Sequence, residues 1–107
     1  MAIFPVAVAT LLAGCHSAPR LTPQQAEGER LYDVGCAHCH EDNDLHLKKA
    51  PPNLHGLFSR QTLADGAPAT EAEVERLLLA GKGKMPSFAY QMTKQQIDAV
   101  VAYLHAY

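Results

Sequence analysis

Five consecutive residues, Cys36-Ala37-His38-Cys39-His40, bring two thiols and an imidazole within one turn of chain. On a helix, residues three apart share a side. The sulfurs of Cys36 and Cys39 then face one way, and the adjacent His40 can offer a nitrogen to a metal lying beside them. A zinc site would need a second ligand pair, and no Cys follows Cys39. A thiol–disulfide pair would expect a βαβ pattern around it, and no strand-like alternation is present. Cys-x-x-Cys-His is also the attachment sequence of a c-type haem. In that chemistry both thiols bond one edge of the porphyrin as thioethers, and His40 becomes an axial ligand of the iron.

A third Cys, Cys15, lies upstream. Residues 1–14 carry no charged side chain and are mostly aliphatic, yet a span needs about 20 such residues. They read as the apolar part of a signal peptide. The segment ends Leu12-Ala13-Gly14-Cys15, which resembles a bacterial lipobox. That resemblance implies cleavage before Cys15 and acylation of Cys15, with several acyl chains holding the protein to a membrane. One chain binds marginally, at about 0.8 kcal/mol per buried methylene, so several are needed. A plain secretory signal is the alternative. The expected organisation is a signal peptide over 1–14, a lipidated tether over 15–21 and one domain over 22–107.

The chain of 107 residues has no Trp, 3 Phe and 4 Tyr. A polypeptide core of this size is marginal on its own, and a buried porphyrin would supply the missing apolar volume. The net charge is −2, with 9 Lys and Arg against 11 Asp and Glu. No basic run interleaved with aromatics is present, so no nucleic-acid partner is expected.

Three segments open with one device. Thr22-Pro23-Gln24-Gln25, Thr70-Glu71-Ala72-Glu73 and Thr93-Lys94-Gln95-Gln96 each fit a capping box, in which hydroxyl and Glu or Gln satisfy each other's backbone N–H. They predict helices over Pro23 to Val34, Glu71 to Ala80 and Lys94 to His105. Val74, Leu77 and Leu78 form one apolar stripe, and Ile97, Val100, Val101 and Leu104 another. The residues between the first two helices hold Pro51, Pro52, Gly56, Gly66 and Pro68. So long a loop in a small domain is explicable if it folds around a large ligand.

Residues 22–107 resemble a small class I cytochrome c in four segments. The first is Gly28-x-x-x-Tyr32-x-x-x-Cys36, where the family crosses its first and last helices, with Val100 and Tyr103 as expected partners. The second is the haem motif. The third, Ala50-Pro51-Pro52-Asn53-Leu54-His55-Gly56-Leu57-Phe58-Ser59-Arg60, is similar to a family segment in which Ala50 and Ser59 replace glycines. There the resemblance implies that the Pro52 carbonyl accepts the His40 N–H, that Leu54, Leu57 and Phe58 wall the haem, and that Arg60 pairs with a propionate. A solvated Arg60 is the alternative. The fourth, Gly81-Lys82-Gly83-Lys84-Met85-Pro86-Ser87-Phe88, is similar to the segment carrying the second axial ligand, which implies Met85 on iron and Phe88 shielding it.

Met92, beside the third helix, reads as core. His46, His55 and His105 are the rival ligands. His38 faces away from the iron if His40 binds it, and His16 belongs to the tether. The resemblance thus implies an all-α, cytochrome c-like fold of three main helices with loops around one covalent haem c and its iron.

With His40 and Met85 on both axial positions, one-electron exchange is the remaining chemistry, and Met ligation raises the potential relative to two His. The expected protein is an electron carrier, not an enzyme, on the periplasmic side of a bacterial membrane. It would be a monomer or a subunit of a complex, serving redox partners such as a dehydrogenase, oxidase or reductase. Two other readings stand beside it: a haem enzyme or gas or redox sensor with a displaceable sixth ligand, and a dedicated cytochrome subunit of a dehydrogenase complex. Lys48, Lys49, Lys82 and Lys84 fall in loops expected near the haem and would form a positive docking face.

Overall fold

The computed structural model describes residues 20–107. The expected signal peptide, Cys15 and all but the end of the tether lie outside them. The described chain runs through α1 (Pro23–Gly35), α2 (Ala37–His40), α3 (Glu71–Ala80) and α4 (Lys94–Ala106), with a single 3-10 turn at Leu57–Ser59. Among the described residues there is no strand, only isolated bridges pairing Thr62 with Pro68 and Lys82 with Met85. The fold is all-α, and three helices form its body. The fourth, α2, is the short turn made by the Cys-x-x-Cys-His residues.

The helix starts follow from their caps. Thr22 Oγ1 accepts from Gln25 N at 3.1 Å, and Gln25 Oε1 accepts from Thr22 N at 3.0 Å. Thr93 and Gln96 repeat the pair at 3.2 and 2.9 Å. The third box is only half made. Thr70 accepts from Glu73 N at 3.3 Å, but the Glu73 carboxylate is taken by Arg76 Nε at 2.8 Å. An Arg one turn on competes for a carboxylate that a Gln would have kept for the cap.

Helices α1 and α4 cross where Gly28 sits. A Cβ there would collide with the Ala99 carbonyl oxygen and lie 2.8 Å from Tyr103 Cβ. One turn on, Tyr32 is 1 % exposed, its ring 5.4 Å from Tyr103 and 5.1 Å from Tyr107. Ile97, Val100 and Leu104 complete the buried core beside it. The glycine costs about 1 kcal/mol of helix propensity, and the contact it permits brings the two helices against each other. Of the partners expected at Gly28, Tyr103 is there and Ala99 supplies the other contact.

The last turn of α4 holds the central loop. His105 stacks on Phe58 with ring centroids 3.9 Å apart, and its Nε2 lies 2.6 Å from Glu71 Oε1. Tyr107 stacks on His55 at 3.7 Å, and its carbonyl accepts from Gly56 N at 3.1 Å. The C-terminal residues thus fasten the loop that runs from the first site segment to the second.

Candidate functional site

A cavity of about 730 Å³ opens between the loops and the inner faces of α3 and α4. That size lies within the range of about 300–1,000 Å³ that holds small molecules and cofactors. Cys36, Cys39, His40 and Met85 all line it, as do Pro52 and Arg60. Its walls are apolar: Leu54 and Leu57 from the central loop, Val74, Leu77 and Leu78 from α3, and Phe88 after Met85.

The motif is placed by the end of α1. Cys36 ends that helix, donating its N–H to Tyr32 O at 2.8 Å, and departs from helical geometry at φ −126°. The chain re-enters helix at once, with Cys39 N and His40 N donating to Cys36 O at 3.1 and 2.9 Å. This one turn puts both sulfurs and the imidazole on the cavity wall. Burial, with Cys39 adding to it, pushes the Cys36 thiol up to about 11. Such a thiol is neutral near pH 7, unlike the lowered thiols of disulfide oxidoreductases.

His40 Nδ1 lies 2.8 Å from Pro52 O. A carbonyl only accepts, so Nδ1 carries the proton and Nε2 keeps its lone pair for a metal. The Pro52 segment is itself held, because Arg60 Nη2 donates to Asn53 O at 2.7 Å and to His55 O at 2.9 Å. Arg60 is therefore a brace for the loop as well as a residue of the cavity wall. It is not simply solvated.

Met85 sits on a two-residue turn. Lys82 N donates to Met85 O at 3.0 Å and Met85 N to Lys82 O at 2.9 Å, around Gly83 and Lys84. Gly81, at φ +69°, lets this turn fold back, since a Cβ there would lie 2.7 Å from Met85 O and 2.8 Å from Ser87 N. Met85 is half-buried and lines the cavity, whereas Met92 packs on the core near Gly35 and does not line it.

The rivals of Met85 are elsewhere. None of His46, His55 and His105 lines the cavity, and the last two are stacked on Tyr107 and Phe58. Phe58, expected on the haem wall, is thereby turned to His105 instead. Among the described residues no group of three or more His, Cys, Asp or Glu stands ready to hold a metal ion. The soft and borderline donor set facing the cavity is two thiols, one imidazole and one thioether, from residues that line it. It fits a porphyrin bonded at one edge, with soft and borderline ligands for iron.

Two contributions went unread in the sequence. Asp65 lines the cavity and lies 3.6 Å from Lys82 Nζ and 3.7 Å from Arg76. Its carboxyl is held below the usual range, first by the Ala67 N–H and then by Lys82 and Arg76. Ser87 donates to Leu79 O at 2.5 Å. Neither residue type carries a signal by itself; only the fold brings them to these partners.

Residues 23–104 match the family model described as cytochrome c oxidase, cbb3-type, subunit III. The chain is 30% identical to cytochrome c6 of Nostoc sp. (strain PCC 7120 / SAG 25.82 / UTEX 2576) over 100 residues, 88% of this chain and 80% of the relative. It is 46% identical to cytochrome c of Nigella damascena over 37 residues, 35% of this chain and 33% of that protein, so this match spans a third of the relative's length. Proteins of this kind bind a covalent c-type haem and act as electron carriers. The chain belongs to the cytochrome c family, in its cbb3-type branch, as a small mono-haem member.

Proposed function

We propose that the chain passes single electrons through a haem bonded to Cys36 and Cys39, with His40 and Met85 as its axial ligands. The observation that carries this reading is the convergence of those four side chains on one apolar cavity, with His40 Nδ1 committed to Pro52 O. The haem iron supplies the redox chemistry by exchanging Fe(II) and Fe(III). The chain's residues do the rest. Cys36 and Cys39 retain the group in both oxidation states. Pro52 fixes the imidazole plane and raises its basicity. The apolar walls disfavour the more highly charged ferric centre and so raise the potential, as does a thioether ligand.

The test is the absorption spectrum of the purified haem protein and of Met85→Ala. Wild type is expected to show the far-red charge-transfer band of a Met-ligated ferric haem. Met85→Ala is expected to lose it, fall in potential and take up cyanide or carbon monoxide readily. A wild-type protein that is high-spin and binds these ligands freely would favour the sensor or enzyme reading and overturn this one.

The carrier works outside the cytoplasm, tethered through lipid on Cys15. The Leu12-Ala13-Gly14-Cys15 sequence supports this. Among the described residues no helix is long and apolar enough to cross a membrane. Mass spectrometry of the mature protein should find an acylated Cys15 as its first residue, and an unmodified or differently cut N-terminus would count against the tether. The oxidase subunit named by the matching family model favours a second reading, a cytochrome fixed in one complex. Stoichiometric copurification with a larger oxidoreductase through size exclusion would select it over a free shuttle.

A further inference from the structure

The turn bearing Met85 is anchored to α3 by the last carbonyls of that helix. A helix end leaves such carbonyls without partners inside the helix. Here Leu77 O accepts from Gly81 N at 2.7 Å, Leu78 O from Phe88 N at 2.8 Å and Leu79 O from Ser87 Oγ at 2.5 Å. The same hydroxyl oxygen accepts from Ala89 N at 3.2 Å. Met85's own backbone bonds both go to Lys82, within the turn. The thioether is therefore located by the two ends of the turn, Gly81 before it and Ser87–Phe88 after it. Gly81 and Phe88 hold on through backbone N–H groups that almost any residue would provide. Ser87 holds on through its side chain.

We infer that Ser87 is a positioning residue for Met85: its hydroxyl pins the chain two residues beyond the ligand to the end of α3 and so keeps the thioether on the iron. This rests on the reading of Met85 as the sixth ligand. It differs from simple helix capping in what it predicts. A cap stabilises the whole fold. A positioning bond also sets how easily another ligand replaces Met85, because displacement requires the turn to swing away while the rest of the fold stays intact.

The probe is imidazole, titrated into the ferric holoprotein and followed by loss of the far-red band, with the denaturant midpoint measured in parallel. Ser87→Ala is expected to bind imidazole about 2- to 12-fold more tightly, the range to which one hydrogen bond's net worth converts. Ser87→Thr, which keeps a hydroxyl, is expected to stay within about twofold of wild type. Ser87→Val, matching Thr in shape without the hydroxyl, serves as the second loss variant should the Ala form not accumulate. If the loss variants lower the denaturant midpoint but bind imidazole like wild type, Ser87 is only a cap and the inference fails. If wild type has no far-red band for Met85→Ala to abolish, the ligand reading fails and this inference with it. A band that depends on Met85 together with unchanged imidazole affinity removes the Ser87 inference alone.

Discussion

The imidazole Nδ1 of His40 stands 2.8 Å from the carbonyl oxygen of Pro52, twelve residues on. That bond fixes the tautomer of His40 and therefore which nitrogen is left for iron. The carbonyl's position depends on Arg60, whose Nη2 bonds the two carbonyls of Asn53 and His55 in the same loop. A guanidinium can hold two acceptors from one rigid fork, and an ammonium on a flexible stem holds them poorly. Arg60→Lys keeps the charge and loses the fork. It should cost about 1–2 kcal/mol in denaturant unfolding. It should also raise the reduction potential slightly, because a looser Nδ1–H···O bond makes His40 a weaker donor to Fe(III). An unchanged unfolding midpoint would show that Arg60 does not brace the loop.

Gly28 and Ala99 define the closest approach of α1 and α4. An added Cβ meets backbone there, and backbone cannot turn aside as a flexible side chain would. The helices would have to part, loosening Tyr32 against Tyr103 and Tyr107. Overpacking typically costs about 1–3 kcal/mol, and contact with main chain puts this site at the upper end. Gly28→Ala is expected to lower holoprotein stability by about 3 kcal/mol. That is far outside the stabilisation of up to about 1 kcal/mol that Gly→Ala gives at an open helical position. Denaturant titration followed through the haem absorbance decides between the two.

What could be read from sequence was local. The thiols and His40 lie within one turn, and the capping boxes span four residues. The glycine-rich turn announces Met85 by the residues touching it. The Pro52 contact was legible because its spacing from His40 accompanies a recognisable segment. What was illegible depends on where distant pieces meet. Phe58 leaves the cavity because His105, on the far side of the chain, offers it a stacking face. Thr70 makes half a box because Arg76 competes for Glu73. The α3 stripe Val74, Leu77 and Leu78 predicted burial, but not that the buried surface would wall a cavity and not another helix. Ser87 and Asp65 gained their roles only once the end of α3 met the loops on either side.

Tyr32 makes stability depend on alkaline pH. Burial first, and the Glu41 carboxylate next, push its phenol well above its ordinary value of 10.0. Burial raises Tyr103 as well. Above about pH 10 an unfolded chain releases these protons while the folded chain retains them, so the unfolded state is favoured as pH rises. Stability attributable to Tyr32 is thus fully present below pH 10 and declines above it. Tyr32→Phe gives up the 3.2 Å bond to Glu41, a loss of about 1 kcal/mol at pH 7. In exchange its stability should fall less steeply between pH 10 and 11.5. Parallel slopes for the two proteins in that interval would place the alkaline dependence on other groups.

Lys48, Lys49, Lys82 and Lys84 all border the cavity, as a docking face would require, but they are not equivalent. Lys82 lies 3.6 Å from Asp65, which partly neutralises it. Among the described residues Lys48, Lys49 and Lys84 have no carboxylate within 4.0 Å. Among the four lysines the positive field at the cavity mouth therefore comes mainly from these three, with Arg60, bonded only to carbonyls, adding to it. Small redox reagents can measure it without knowledge of the partner. Oxidation by an anionic iron cyanide complex should slow about 3-fold or more at low salt in Lys84→Glu and in Lys48→Glu. Oxidation by a cationic cobalt complex should accelerate in the same variants. Lys82→Gln should change either rate less, since the charge it removes is already countered. All differences should shrink as ionic strength rises from 10 mM to 500 mM, because the screening length falls from about 30 Å to a few Å. Equal rates for both reagents across the variants would mean that electrons leave by another face, away from the lysines.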